Sequence, residues 1–291
     1  MMRIAVTGSK GQVATSLIER AGANAEVVAL GRPAFDLIDR AAVVAGLEAA
    51  RPDVVVNAAA YTAVDKAETD IDAARRLNAD VPRIFAEEAA RSGAALVHYS
   101  TDYVFDGTKE GAYIETDETN PQNVYGLTKL EGEQAIAATG CAHLILRTSW
   151  VYGRRGKNFL LTMLKLGGER PELRVVADQI GAPTWSKTIA VATSHIIAQA
   201  LAADAADWWE RRSGVYHFTA AGATSWHGFA EAIFVNAMGG RAPKVVPIPA
   251  TDYPVPATRP ANSRLSHDKL TEAFRLRLPD WADALKLCLS E

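Results

Sequence analysis

Cysteine is scarce: Cys141 and Cys288 are the only two in 291 residues. They stand too far apart in sequence for a metal motif, and two thiols make no disulfide framework. No apolar run approaches the roughly 20 residues that cross a bilayer. Met1-Met2-Arg3 leads into a strand rather than a secretory signal. The six histidines form no zinc-type pair, and no Gly-x-Ser-x-Gly elbow for hydrolysis occurs, so the histidines are read as structural. Charge of one sign does not accumulate either. A formal net charge of −3 gives no general attraction to nucleic acid or anionic membranes. Low-complexity tracts and internal repeats are missing. What these absences leave is a globular chain expected in a reducing cytoplasm, long enough for one large core or two modest ones.

The first half alternates short apolar strands with helices. Arg3-Ile4-Ala5-Val6-Thr7 reads as a buried strand, and Gly8, Gly11 and Ala14 follow at three-residue spacing into a helix through Leu17 and Ile18. A strand, a glycine-rich turn and a helix N-terminus make an anion site, because free backbone N–H groups and the positive helix end face the same point. Gly8 permits the turn and Gly11 lets backbone approach a phosphate. The competing reading is a bare glycine turn without ligand. The next strand, Glu26 to Leu30, ends at Gly31-Arg32, and Lys10 sits in the glycine loop. Two cations and no carboxylate at that tip suit a ribose carrying a 2′-phosphate, so NADPH is expected over NADH. Solvated surface cations are the alternative.

Asp39 is placed to cap a helix from Arg40 to Ala50. Strands are expected at Asp53–Asn57, Ala94–Tyr99 and Leu144–Leu146, with a helix from Ile71 to Ser92. This alternation predicts an α/β fold built on a doubly wound parallel sheet of Rossmann type. Ligands of such sheets bind beyond the carboxyl ends of the strands. The segments falling there are Gly8–Val13, Gly31–Arg32, Asn57–Thr62, Ser100–Asp102 and Thr148–Tyr152.

Tyr125-Gly126-Leu127-Thr128-Lys129 opens a helical run, so Tyr125 and Lys129 lie one turn apart on one face. A cation beside a phenol favours phenolate and would bring the tyrosine proton nearer neutral pH. Alone, the pair is a weak signal and reads first as an ordinary surface couple.

Residues 1–150 are expected to form a dinucleotide-binding domain and 151–291 mainly a smaller α/β substrate domain, with 186–201 and 214–220 free to pack back on the first. Helices are expected at Asn158–Leu166, ended by Gly167-Gly168, and at Ser186–Leu201, Trp226–Met238 and Asp280–Leu289. Strands are expected at Leu173–Val176 and Gly214–Phe218. Six prolines between Pro243 and Pro260 suggest an extended segment with little regular structure. Trp208-Trp209 and Trp226-His227 are read as packing or surface features.

The stretches VTGSKGQVA (6–14), RPDVVVNAAAYTAVDKAE (51–68), HYSTDYVFDGT (98–108), NPQNVYGLTKLEGEQAI (120–136), LRTSWVYG (146–153), DQIGAPT (178–184) and RPANSRLS (259–266) run almost the length of the chain. Together they resemble the extended short-chain dehydrogenase/reductase family, and within it the branch that reduces dTDP-linked 4-keto-6-deoxy sugars. The resemblance implies hydride transfer from NADPH, or alternatively NADH, to the C4 ketone of dTDP-4-dehydro-L-rhamnose. It implies Thr101 bonded to the substrate carbonyl, Tyr125 as proton donor and Lys129 orienting the nicotinamide ribose. Gly11, Gln12 and Val13 would meet the pyrophosphate, and Asp36-Leu37 the adenosine. Ala60, Tyr61, Thr62 and Tyr99 would line the nicotinamide side. Asp102 and Trp150 would contact the sugar, with Asn158, Gln179 and Arg259 as further substrate contacts. Some relatives dimerise through acidic residues that gather magnesium. Here that position holds Ser16 or its neighbour Thr15, so no metal ligands are assigned and the chain is expected as a monomer or homodimer.

Two rival readings share the motifs. An epimerase or dehydratase of the same fold would recycle its own bound cofactor, but a dehydratase would want a second carboxylate beside Asp102, where Tyr103 stands. A non-catalytic nucleotide-binding subunit would not need Thr101, Tyr125 and Lys129 intact.

Overall fold

The computed structural model describes residues 1–20, 25–33, 35–203 and 207–291. Six parallel strands form the main sheet in the order β10-β5-β4-β3-β1-β2, where β1 is Met2–Thr7, β2 Ala25–Leu30, β3 Val54–Asn57, β4 Ala95–Thr101, β5 His143–Thr148 and β10 Gly214–His217. Right-handed crossovers need helices on both faces of such a sheet, which explains why its strands are near-continuous apolar runs. On one face Ile4, Val6, Val54, Val56, Val97 and Leu144 meet α1 (Gln12–Glu19) and α8 (Ser186–Ala202). On the other, Ala5, Val55, Leu96 and Ile145 meet α2 (Arg40–Ala50), α5 (Val81–Ser92) and α6 (Val124–Ala138). Asp39 caps α2 as expected, its side chain accepting from the Ala41 N–H at 2.9 Å.

The expected helix Ile71–Ser92 is interrupted. Two short helices, α3 (Val64–Ala67) and α4 (Ile71–Arg75), lead into a π turn at Arg76–Asp80 before α5 begins. Position Gly132 of α6 packs on that turn: a Cβ there would lie 2.1 Å from the Asn78 carbonyl oxygen. A π turn widens the helix and turns a side chain aside, a feature frequent at functional sites. Here it aims Asn78 at the loop after β3.

Beyond β5 a separate apolar cluster gathers Tyr152, Leu160, Met163, Trp185, Phe229, Phe234 and Leu285. It is built from β6 (Val151–Tyr152), α7 (Phe159–Glu169), β7 (Glu172–Val176), β9 (Thr184–Trp185), α9 (Trp226–Met238), β12 (Lys244–Ile248) and α11 (Trp281–Ser290), while β8 (Ile180–Gly181) pairs with β11 (Thr224–Ser225) and α10 (Asp268–Phe274) packs toward β10. Two expectations are corrected here. Gly167-Gly168 does not end α7, which runs on to Glu169. A Cβ on Gly167 would meet the Phe234 ring at 2.5 Å, so the glycine lets α7 close on α9, and that burial offsets its cost of about 1 kcal/mol in a helix. The proline-rich segment also contains a strand, β12, paired in parallel with β7. A two-stranded ribbon has an open edge that asks nothing of the Pro247 nitrogen. No helix among the described residues is long and apolar enough to cross a membrane.

Candidate active site

The carboxyl edge of the sheet opens into a cleft of about 1020 Å³. One end is the glycine turn. Gly8 takes φ +73°, a conformation that costs glycine little, and a Cβ there would press on Ala59 at 3.1 Å. Gly11 precedes α1 with no side chain capping the helix, so its first N–H groups stay free toward the cleft. Gly8, Lys10, Gly11, Gln12, Val13, Arg32, Asp36 and Leu37 all line this end. A dinucleotide fits it: a bare helix N-terminus for the pyrophosphate, and Lys10 and Arg32 for a phosphate on the ribose. Gln12 is held by Asn158, whose amide donates to Gln12 Oε1 at 2.9 Å.

The middle of the cleft is lined by Ala60, Thr62, Tyr99, Thr101, Asp102, Tyr125, Lys129 and Trp150. Strand β4 carries Thr101 to its end, and α6 begins beside it. Asn123 caps α6, accepting from the Gly126 N–H at 2.8 Å, while its own amide donates to the Thr258 carbonyl at 2.7 Å. That tie anchors the first turn, on which Tyr125 sits.

Burial pushes the Tyr125 phenol up to about 12; the neighbouring Thr101 hydroxyl lowers it and the Asp102 carboxylate raises it. This corrects the expectation that Lys129 draws the phenol toward neutrality. The Lys129 Nζ bonds the Tyr99 carbonyl at 2.6 Å and His98 Nε2 at 2.9 Å. Burial also brings the Lys129 ammonium down to about 7, with Glu133 opposing. Desolvation is the largest cause for both groups. Asp102 is raised to about 6 by burial, partly offset by hydroxyl bonds that include the one from Thr101 at 3.0 Å.

Trp150 adopts φ +48°, a strained conformation for a non-glycine residue. Its ring stacks on Trp226 at 3.5 Å between centroids and 8° between planes. Gly181 backs the same ring, where a Cβ would approach to 2.6 Å. Trp226, read from sequence as a packing residue, does pack, but it also lines the cleft.

Four expected contacts lie outside the cleft lining. Tyr61 points its hydroxyl at Asp70, 2.9 Å away, while its backbone N–H donates to Asn78 at 2.8 Å. Asn158 spends its amide on Gln12 and on the carbonyls of Gly153 and Arg155, and its oxygen caps α7. Arg259 forms a two-pronged pair with Asp65 at 2.8 and 2.9 Å. Gln179 is half-buried beside β8.

Sequence reasoning passed over three residues. Asn78 bonds Thr128 at 3.1 Å and both backbone groups of Tyr61, tying the loop after β3 to the helix of Tyr125 and Lys129. Asn57 and His98 form a buried polar row behind Lys129. For Asn57, a polar residue at the end of an apolar strand was the available signal.

The model of the RmlD substrate binding domain matches residues 2–291. The chain belongs to that family. A dTDP-4-dehydrorhamnose reductase of Burkholderia thailandensis is 52% identical, with 100% of this chain and 99% of that protein covered. The Escherichia coli K12 enzyme of the same name is 47% identical over 83% of this chain and 80% of its own. Among solved structures, the dTDP-4-dehydrorhamnose reductase of Bacillus anthracis in complex with NADP superposes with a TM-score of 0.92 at 34% identity, covering 100% of this chain and 99% of that one. The six-stranded parallel sheet of this chain is of the doubly wound Rossmann type.

Proposed function

We propose that this protein is an NADPH-dependent reductase that converts the C4 ketone of dTDP-4-dehydro-L-rhamnose to the alcohol of dTDP-L-rhamnose. The observation carrying this reading is that Thr101, Tyr125 and the glycine turn face one continuous cleft, in a chain 52% identical along its whole length to a reductase of that name.

NADPH supplies the hydride. The protein supplies the rest. Gly11, Gln12 and Val13 present backbone at the start of α1 to the pyrophosphate, and Lys10 and Arg32 meet the 2′-phosphate. Tyr125, holding its proton at neutral pH, gives it to the ketone oxygen as negative charge develops there. Thr101 holds that oxygen by hydrogen bond, and Lys129 orients the nicotinamide ribose. Trp150, fixed by Trp226 and Gly181, presents an apolar face to the sugar. In this reading residues 1–150 bind cofactor, 151–291 mainly form the substrate wall, and the protein works in the cytoplasm as a monomer or homodimer.

The test is loss of NADPH absorbance on adding dTDP-4-dehydro-L-rhamnose, run in parallel with NADH. Turnover with NADPH supports the reading. A protein that binds nucleotide and never oxidises it with this sugar refutes it.

A further inference from the structure

Four basic side chains of the described residues line the cleft: Lys10, Arg32, Lys129 and Lys157. Lys10 and Arg32 are matched above to a phosphate on the ribose, and Lys129 bonds the Tyr99 carbonyl and His98. Lys157 has no part yet. It comes from the other half of the chain, from the loop 153–158 that joins β6 to α7.

That loop is pinned along α1. Arg155 pairs with Glu19, the last residue of the helix. Two contacts hold the loop to Gln12, the first residue. The Asn158 amide donates to Gln12 Oε1 at 2.9 Å, and a Cβ on Gly156 would sit 3.4 Å from Gln12 Cγ. Asn158 also gathers the loop onto itself, donating to the carbonyls of Gly153 and Arg155 at 2.9 and 3.0 Å. Its oxygen accepts from the Leu161 N–H at 3.1 Å and so caps α7. Gly156 makes the turn at φ +77°, which glycine adopts readily. Lys157 therefore stands between the two residues that rest on Gln12, beside the N-terminus of α1.

The loop carries three cations and sorts them. Arg154 and Arg155 line a second cavity, of about 410 Å³, that shares Gln12 with the cleft. Lys157 lines the cleft itself, next to Gly156. Its side chain is exposed, and no carboxylate pairs with it among the described residues. A dinucleotide's diphosphate at the start of α1 brings two negative charges. The glycine turn answers them with backbone N–H groups and a helix end worth about half an elementary charge. A full counter-charge has to come from a side chain.

We propose that Lys157 completes the dinucleotide site from the second half of the chain: its ammonium is the counter-charge of the cofactor's diphosphate, set in place by the Asn158–Gln12 tie. This rests on the cofactor reading above and not on which sugar is reduced. The same loop leads into Phe159, whose ring lies 4.7 Å from that of Trp226, the partner of Trp150. One short segment thus touches the walls of both ligands.

Fluorescence titration of the full-length protein with NADPH and with NADH reads this without turnover. Both carry the diphosphate, and NADPH alone carries the 2′-phosphate. Lys157→Ala should weaken the two by the same factor, roughly three- to fivefold for an exposed ion pair. The loss should shrink as salt is raised, and Lys157→Arg should restore most of the affinity. Arg32→Ala sets the contrast, weakening NADPH far more than NADH. A Lys157→Ala loss confined to NADPH would assign the ammonium to the 2′-phosphate. A raised KM for the sugar nucleotide with cofactor affinity unmoved would assign it to the substrate's own diphosphate. Either result overturns the proposal, as does unchanged affinity for all three. If NADPH binds but is never oxidised with the sugar, the reductase reading falls while the binding ratios still decide Lys157.

Discussion

A Cβ placed on Gly126 would lie 2.2 Å from the carbonyl oxygen of Tyr103. The residue after the proposed proton donor thus touches the segment just after Thr101 and Asp102, and nothing larger than hydrogen fits between. The Tyr103 and Tyr125 rings meet edge to face, 5.7 Å between centroids, across the same contact. This approach is what brings the first turn of α6 up to the end of β4. Gly126→Ala should push them apart by a fraction of an ångström to an ångström. Misplacement on that scale costs on the order of 10²-fold in turnover. Steady-state kinetics beside a thermal melt checks it; near wild-type kcat would deny the contact any part in aligning the site.

Tyr125→Phe removes the acid and keeps the ring. Turnover should fall by roughly 10²–10⁴, while NADPH affinity, read by fluorescence titration, stays close to wild type. Turnover that survives this change would take the proton-donor role away from Tyr125.

Asp102 is 3% exposed, and burial lifts its carboxyl from 3.8 to about 6. A carboxylate raised in the folded state binds its proton more tightly there than in the unfolded chain. Its contribution to stability is therefore present below pH 3.8 and is lost as pH rises through about 6. Asp102→Asn should raise stability at pH 7 and above by on the order of 2–3 kcal/mol, with the gain vanishing near the unfolded value. Denaturant melts at several pH values measure it. A gain that grows toward acid would reverse the sign argued here. The same variant should be slower, because the carboxylate borders Thr101.

Glu133 and Arg147 are both about 4% exposed and paired through two oxygens. Glu133→Gln leaves a buried guanidinium without its counter-charge, a loss typically costing about 3–5 kcal/mol. Chemical denaturation should show that fall, and an unchanged midpoint would argue that Arg147 finds another partner.

Much of this site could be read before any fold was known. The glycine turn, the pair Tyr125 and Lys129, and Ser100-Thr101-Asp102 each carry local signals: spacing, helix periodicity, the end of an apolar strand. Residues whose meaning is a partner far away in sequence were not legible. His98 reads as one polar residue in a buried strand, and so as structural, because Asn57 and Lys129 lie 41 and 31 positions away. Trp226 joins Trp150 only once α9 folds over β6. Gly167-Gly168 looks like a helix stop until Phe234 is seen to need the space.

The linear order of residues determined the alternation of strand and helix, and so the parallel sheet with its chemistry on one edge, because local periodicity and right-handed crossovers leave few other solutions. It also determined which hydroxyl, phenol and amine stand at that edge. Only the tertiary structure decided how strongly burial acts on them. Burial pushes the Tyr125 phenol up, against the shift expected from its lysine, and the Lys129 Nζ bonds His98 and the Tyr99 carbonyl. Protonation depends on how much water is excluded and which lone pair faces which proton, and neither exists until the strands and α6 have packed.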